Sequence, residues 1–290
     1  MPWLRALLFL LIGFLNTAVM GSVIVLLALF TPMSPLRSRL VPCIHHVSEA
    51  WVWGNKNLLF AVIPPIRIDI DMPDDLKTNG WYLLLPNHQS WVDIILLFNI
   101  FHHRIPFLKF FLKYELIYIP FLGIACKALN MPFMKRYSKS YLEKHPEKKG
   151  EDLLNTRKAC ATFHEHPVAV VNFMEGTRRS PDKMKEQQSP YQHLLRPKAG
   201  GVAFVLSALG PSMQSALDVT LVYPDRVPSL ADLACGRLRH VKIHVQECVI
   251  PADFRGRDYE NDAQYRDRFQ SWIGELWKAK DVRISSMLNS

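Results

Sequence analysis

Hydrophobic residues are most concentrated at the N-terminus. No charged residue occurs between positions 6 and 36, and residues 6–30 are almost wholly apolar. A helix of that length is roughly 37 Å long, enough to cross a hydrocarbon core of about 30 Å with some tilt. A cleaved signal peptide would have an apolar core of only about 7–15 residues before a small-x-small site, which does not match this pattern. We therefore expect a retained membrane helix over about residues 5–30.

A second segment, about residues 36–62, mixes apolar and charged positions at roughly helical spacing. Its Trp51 and Trp53 suit the headgroup level of a membrane, because an indole has an apolar body and a polar edge. We expect an interfacial helix here, with a second full span as the alternative. The two helices would form an N-terminal membrane anchor, residues 1–65, followed by a soluble domain, residues 66–290.

From residue 66 onward the hydrophobic period changes repeatedly between that of strands and that of helices, which is typical of an α/β domain. Two polar stretches, 137–152 and 180–196, are expected to be surface insertions. The predicted strands are 66–70, 81–86, 168–173, 219–223 and 241–249, and the predicted helices are 90–101, 151–166, 198–208 and 259–278.

Composition and charge narrow the class of protein. Hydrophobic residues make up 49% and charged residues 21%, which excludes a disordered chain. The net charge of +9 indicates an anionic partner, namely a nucleic acid, an anionic membrane surface or a phosphorylated ligand. No nucleic-acid-binding motif accompanies the charge, so a membrane-anchored nucleic-acid-binding protein is the disfavoured alternative. The five cysteines are dispersed without a C-x-x-C pair, which fits a reducing compartment.

Candidate chemistry centres on NHQSWVD at residues 87–93. An apolar strand ends just before it, so His88 lies at the carboxyl end of a strand, where α/β sheets place their sites. Asp93 follows about one and a half helical turns later and can turn back toward the imidazole. It would fix the ring tautomer and stabilise imidazolium, which lets His88 act as a general base. The spacing alone also occurs by chance, and the alternative is a buried, satisfied His88 beside a helix-capping Ser90.

Two further strand ends carry charged residues. FMEGTR at residues 173–178 ends in a glycine turn, where Gly176 lets backbone N–H groups approach an anion and the planar guanidinium of Arg178 matches phosphate oxygens. FMKR at residues 133–136 places a basic pair after another apolar run. Three such strand ends indicate one site rather than an accident of the surface.

In this order, NHQSWVD, FMKR, FMEGTR and VYP at residues 222–224 resemble the four motifs of the glycerolipid acyltransferases, which are the 1-acylglycerol-3-phosphate acyltransferases and their lysophospholipid-acylating relatives. The resemblance covers roughly residues 80–225. It implies an α/β fold with a mixed sheet flanked by helices, preceded by an N-terminal membrane-embedded segment. Residues 193–201 are similar to the segment that follows the third motif in the lysocardiolipin-acyltransferase branch.

The resemblance also implies roles for single residues. His88 would be the general base and Asp93 its orienting partner. Arg178 would bind the acceptor phosphate. The residues implied to shape the acceptor site are Glu175, Gly176, Thr177 and Arg178.

Two more phosphate contacts are implied by the same resemblance. Lys113 is similar to a family lysine that meets phosphate, and Arg136 is the arginine of the second motif. Asn130 stands where that motif commonly has glycine, which leaves the identity of the acceptor open.

The implied reaction is direct acyl transfer from acyl-CoA or acyl-carrier protein to the sn-2 hydroxyl of 1-acyl-sn-glycerol-3-phosphate, giving phosphatidic acid in phospholipid biosynthesis. We expect no cofactor and no metal ion. We also expect no serine or cysteine nucleophile. The expected partners are the lysophospholipid, the acyl thioester or its carrier protein, and membrane lipid, but no nucleic acid. The alternatives are lysocardiolipin, another lysophospholipid or an ornithine-type lipid as acceptor, and a hydrolase that uses the same pair on water.

Basic residues bear on location. Arg37 and Arg39 follow the apolar helix and favour an inner-membrane protein whose catalytic domain, residues 66–290, faces the cytoplasm. Arg5 on the other side of that helix reduces the charge difference.

Overall fold

A computed structural model describes residues 2–32, 34–135, 166–210, 215–256 and 262–290, together with a few positions and one short helix in the segments between them. The strands are β1 (Arg67–Asp71), β2 (Tyr82–Pro86), β3 (Leu108–Phe110), β4 (Leu112–Lys113), β5 (Phe133–Met134), β6 (Ala169–Val171), β7 (Ser215–Val222) and β8 (His240–Val249). The α-helices are α1 (Pro2–Phe30), α2 (Ser34–Gly54), α3 (Val92–Phe101), α4 (Leu122–Ala128), α5 (Lys139–Lys144), α6 (Pro181–Glu186), α7 (Ala199–Leu209), α8 (Leu230–Ala234) and α9 (Ala263–Asn289).

The main sheet has the strand order β1-β8-β7-β2-β6-β3. Strand β2 pairs in parallel with β6 and β7, while β7 and β8 are antiparallel. The expected α/β fold with a mixed sheet flanked by helices is therefore confirmed. Every residue of β2 is buried, as a central parallel strand requires.

The sheet has an apolar core on each face. Because successive side chains of a strand point to opposite faces, Leu84 packs in the core that contains α3, and Leu83 and Leu85 pack in the core that contains α7 and α9. The carboxyl end of β2 is thus held between two packed layers, which makes it a rigid place for reactive side chains.

The predicted strands are all present, with β7 beginning four residues earlier than expected. The short strands β3 and β4 were not predicted, and β5 was expected only as the strand end at FMKR, because two or three residues are too few to show a period. The predicted helix 151–166 lies outside the described residues apart from isolated positions, as does part of the predicted insertion 137–152. The predicted surface insertion 180–196 is partly wrong, since Leu194 and Leu195 are fully buried in the core.

The N-terminal helices pack on each other and on the rest of the chain. The Asn16 side chain of α1 donates to the carbonyl of Trp51 at 3.0 Å, and α2 continues into a π-helical turn, Asn55–Leu59. Phe9 of α1 is buried in the core around α3, and Gly21 lies against α4. Judged by length and composition, α1 is the one helix among the described residues that is long and apolar enough to cross a membrane.

Candidate active site

His88 and Asp93 form the centre of the site at the carboxyl end of β2. The chain leaves the strand at Pro86 and enters α3 at Val92, so Asp93 lies in the first helical turn. Its Oδ2 accepts hydrogen bonds from His88 Nδ1 at 2.9 Å and from the backbone N–H groups of Gln89 and Ser90 at 2.6 and 2.8 Å. A carboxylate is stable at this position because helix N-termini carry unpaired N–H groups and a partial positive charge.

Tyr223, which follows β7, completes the surroundings of Asp93. Its hydroxyl donates to Asp93 Oδ1 at 2.5 Å, and both side chains are buried. Burial, followed by the neighbouring Asp93 carboxylate, raises the pKa of Tyr223, so the phenol remains a donor. Tyr223 is the tyrosine of VYP, and its position in the sequence alone assigned it no role.

The imidazole of His88 is held in place while one of its nitrogens stays available. Its ring stacks on Phe173 with 3.9 Å between centroids, and 13% of its side chain is exposed. Nε2 makes no hydrogen bond with the described part of the chain, whereas Nδ1 is held by Asp93. Ser90 does accept a hydrogen bond from the backbone of Val92. Even so, His88 is not the fully satisfied core histidine of the alternative interpretation, because its Nε2 is free and its side chain is partly exposed. A general base needs such a free, accessible nitrogen.

Glu175 supports the backbone of His88. Its Oε1 accepts from the His88 N–H at 2.7 Å and its Oε2 from the Leu195 N–H at 3.0 Å. Burial raises the pKa of Glu175 to about 7, although these two hydrogen bonds and Lys280 act in the opposite direction. The side chain has no exposed surface, so its contribution to an acceptor site is indirect, through the position of His88.

The glycine turn after Glu175 lies beside the His88 turn. Gly176 has a φ of +68°, a conformation that favours glycine. Thr177 accepts a hydrogen bond of 2.6 Å from Lys183, and the backbone N–H of Arg179 donates to the His88 carbonyl at 2.8 Å. The turn is therefore joined directly to the loop that carries the catalytic candidates.

Arg178 is exposed and lies over the ring of Trp91, with 5.2 Å between the guanidinium carbon and the ring centroid. Because Trp91 belongs to the same loop as His88, this cation–π contact ties the Arg178 guanidinium to the loop that carries the imidazole. Lys198 adds a second charge, since its side chain lies beside Gly176.

The remaining predicted phosphate contacts are less well placed. Lys113 is exposed at the end of β4 and forms an ion pair of 3.2 Å with Glu115. The β4–β5 pairing sets Lys113 opposite Met134 of the second motif, but no contact within the described residues joins it to His88. Arg136 lies outside the described residues.

Two buried polar residues that support the site were missed. The side-chain amide of Asn87 exchanges two hydrogen bonds with the backbone of Leu221, which ties the loop after β2 to β7. Lys280 of α9 is fully buried and donates to the carbonyls of Leu85 and Val219 and to Asp218. Asn87 is the first residue of NHQSWVD, so the motif could have indicated that it has a role at the site. The pattern of apolar residues along α9 gives no indication of a role for Lys280.

Among the described residues, this site contains no group of three or more histidine, cysteine or carboxylate side chains spaced to hold a metal ion. Such a group is found in the described chain at the other end of α3, where Glu49, His102 and His103 meet.

Comparison with known proteins identifies the family. The model of the Acyltransferase family matches residues 67–224, more than half of the chain, and this range contains all of the quoted motifs. The chain belongs to the acyltransferase family. The resemblance to glycerolipid acyltransferases is thereby confirmed, and so is the prediction of an enzyme.

Individual relatives agree with this assignment. This chain is 24% identical to an uncharacterised acyltransferase of Saccharomyces cerevisiae. The match covers 82% of this chain and 66% of the yeast protein. The chain is also 24% identical to the 2-acyl-1-lysophosphatidylinositol acyltransferase of the same yeast, over 71% of its own length and 61% of that protein. The chain thus spans slightly less than two thirds of both curated relatives.

A solved structure shares the fold. The 1-acyl-sn-glycerophosphate acyltransferase PlsC of Thermotoga maritima superposes with a TM-score of 0.55 at 15% identity, covering 94% of this chain and 95% of that one. An enzyme of this family takes an acyl donor and a lipid acceptor.

Proposed function

We propose that this acyltransferase moves a fatty acyl group from acyl-CoA or acyl-carrier protein to the sn-2 hydroxyl of 1-acyl-sn-glycerol-3-phosphate, which yields phosphatidic acid. The observation that carries the proposal is the His88–Asp93 pair with its free Nε2, in the same loop as Trp91, over whose ring the guanidinium of Arg178 lies. The first feature provides a base for a hydroxyl, and the second provides a partner for a phosphate.

The reaction needs one proton acceptor and one charge partner. Nε2 of His88 takes the proton of the acceptor hydroxyl while its oxygen attacks the thioester carbonyl. The tetrahedral intermediate then expels the thiolate, which receives the same proton from the imidazolium. Asp93 stabilises the imidazolium throughout, and it is itself held by the backbone and by Tyr223. The acyl group is thus transferred directly, without an acyl-enzyme.

Arg178 is our candidate for the acceptor phosphate. Its guanidinium is exposed on one face and supported by Trp91 on the other, so ordering it costs less than ordering a free side chain. The yeast relative whose name specifies lysophosphatidylinositol supports a second candidate acceptor, an inositol-bearing lysophospholipid. Both acceptors carry a phosphate, so both are compatible with the same Arg178 contact.

We also infer that α1 keeps the catalytic edge at a membrane, with the inner membrane and a cytoplasmic catalytic domain as the proposed arrangement. One side of α1 packs on the rest of the chain through Phe9 and Gly21, and much of its other surface consists of exposed leucines. Such a surface is stable against lipid, where the acyl chain of the acceptor also lies.

An acceptor panel tests the proposal. The purified full chain in nanodiscs is given a radiolabelled acyl thioester together with 1-acylglycerol-3-phosphate, lysophosphatidylinositol, lysocardiolipin or an ornithine lipid. We expect labelled phosphatidic acid as the fastest-forming product, and at least ~10²-fold slower formation with His88→Ala. Faster labelling of another lipid would replace the acceptor, and release of free fatty acid alone would replace the transferase with a hydrolase.

A further inference from the structure

Two histidines and a carboxylate meet at the end of α3 that lies away from Asp93. His102 and His103 directly follow α3, and Glu49 belongs to α2. Nε2 of His102 lies 3.2 Å from Glu49 Oε2 and also 3.2 Å from the backbone carbonyl of Glu49, and Nδ1 of His103 lies 3.9 Å from Oε2. One ligand atom from each of the three residues lies within 4.8 Å of the other two.

These distances are close to those of a metal site. Around a tetrahedral zinc ion at about 2.1 Å from each nitrogen or oxygen ligand, neighbouring ligand atoms are roughly 3.4 Å apart. The two separations from Glu49 Oε2 lie on either side of that value, and the separation between the two imidazole nitrogens is at most 4.8 Å. Two imidazoles and one carboxylate are a donor set for Zn²⁺ and related transition metals rather than for Mg²⁺ or Ca²⁺, which prefer oxygen ligands.

The surroundings favour binding of a cation. The side chain of His102 is only 3% exposed and that of Glu49 18%, whereas that of His103 is 69% exposed, which leaves a path from solvent. The centroids of the two imidazole rings are 3.8 Å apart, so one ion can reach a nitrogen of each ring.

We propose that Glu49, His102 and His103 form a binding site for a divalent transition-metal ion, with Zn²⁺ as the best match. The ion would connect α2 to the end of the helix whose first turn carries Asp93, roughly 14 Å away along the axis. At that distance it takes no part in acyl transfer, for which no metal is expected. Its effect is to fix the N-terminal helices, α1 and α2, against the catalytic domain.

Direct metal binding tests this proposal. The full chain, without a polyhistidine tag, is stripped with EDTA in nanodiscs and titrated with ZnCl₂ by calorimetry and with CoCl₂ by visible absorption. The variants are Glu49→Gln and His103→Asn, since asparagine tolerates the positive φ of 62° found at His103. The matched control is His145→Asn, because His145 forms an exposed pair with Glu147 at 3.3 Å.

We expect one ion per chain with a Kd in the micromolar range or below, and unchanged binding in the control. Each variant should raise the Kd at least tenfold. Substitution of a residue that only supports a metal ligand typically lowers metal affinity 10–100-fold, and loss of a ligand itself should cost no less. Zinc should also raise the melting temperature of the wild type but not that of the variants. Absence of binding, or equal affinity in wild type and variants, would overturn the proposal.

If the variants fail to fold, a second measurement on the wild type still tests the proposal. X-ray absorption of the zinc-loaded wild type should show two imidazole ligands per ion. A shell made only of oxygen, or one with a single imidazole, would also overturn the proposal. None of these readouts depends on acyltransferase activity, so the proposed reaction and the proposed metal site can fail separately.

Discussion

The hydroxyl of Tyr223 donates a hydrogen bond of 2.5 Å to Oδ1 of Asp93, while His88 binds the other oxygen, Oδ2, at 2.9 Å. Tyr223 is 130 residues away from Asp93 in sequence. The parallel pairing of β2 and β7, with Pro86 opposite Val219, brings its strand end to the same edge. The orientation of the carboxylate toward the imidazole therefore depends on the sheet as well as on the local turn.

Replacing Tyr223 by phenylalanine removes this hydrogen bond and little volume. A hydrogen bond to a charged group contributes about 1.5–3 kcal/mol, so we expect kcat to fall about 10–100-fold while the KM values change little. The measurement is steady-state kinetics of the variant in nanodiscs. A kcat within twofold of the wild type would show that the backbone donors alone position Asp93.

Removal of the proposed base, His88, tests the chemistry. His88→Ala should lower turnover by at least ~10²-fold without unfolding the protein, because the acceptor hydroxyl loses its proton acceptor. Asp93→Asn should also be severely impaired, because an amide cannot stabilise imidazolium as a carboxylate does. The matched control is His145→Ala, at an exposed position. Retention of more than about a tenth of the wild-type rate by His88→Ala would exclude it as the base.

Arg178 separates a phosphate acceptor from a neutral one. Arg178→Ala should raise the acceptor KM by ~10-fold or more with a smaller effect on the thioester, and Arg178→Lys should keep part of the function. Arg67→Ala, an exposed arginine of β1, is the control. The same acceptor without its phosphate should be a poor substrate for the wild type, and the alanine variant should no longer distinguish the two. Equal wild-type rates on both acceptors would refute phosphate recognition by Arg178.

The raised pKa of Glu175 predicts a pH dependence of stability. A carboxyl group whose pKa is about 7 when folded, against an ordinary value of 4.5, binds its proton more tightly in the folded state. Its contribution to the free energy of unfolding therefore decreases as the pH rises from about 4.5 to about 7, by roughly 3 kcal/mol in all. Glu175→Gln lacks this titration. Urea unfolding should show the variant gaining stability relative to the wild type across that window, and a constant difference would contradict the shift.

Lys280 tests the support beneath the site. Lys280→Met keeps the length of the side chain but leaves the carbonyls of Leu85 and Val219 without their donor and weakens the neutralisation of Asp218. Breaking a buried ion pair typically costs about 3–5 kcal/mol, which chemical denaturation would detect. Lys278→Met, at an exposed position of the same helix, is the matched control. A loss below about 1 kcal/mol would mean that Lys280 is not a structural link.

Features governed by short-range periodicity and by motif order could be predicted from the sequence. The α/β class, the strand that ends before His88 and the apolar α1 each depend on the period of side chains along one element. The pairing of His88 with Asp93 could also be proposed, because only five positions separate them and a helical turn brings them together.

Features that join distant parts of the chain were decided by the tertiary structure alone. Phe173 against the imidazole, Glu175 on the His88 backbone and Tyr223 on Asp93 come from strands that become neighbours only when the sheet forms. Lys280 reaches β2 across 195 residues of sequence. Local propensity carries no information on such contacts, because they are set by strand order and register. The sequence alone thus determined which residues are candidates for the reaction, and the packed sheet decided how each is held.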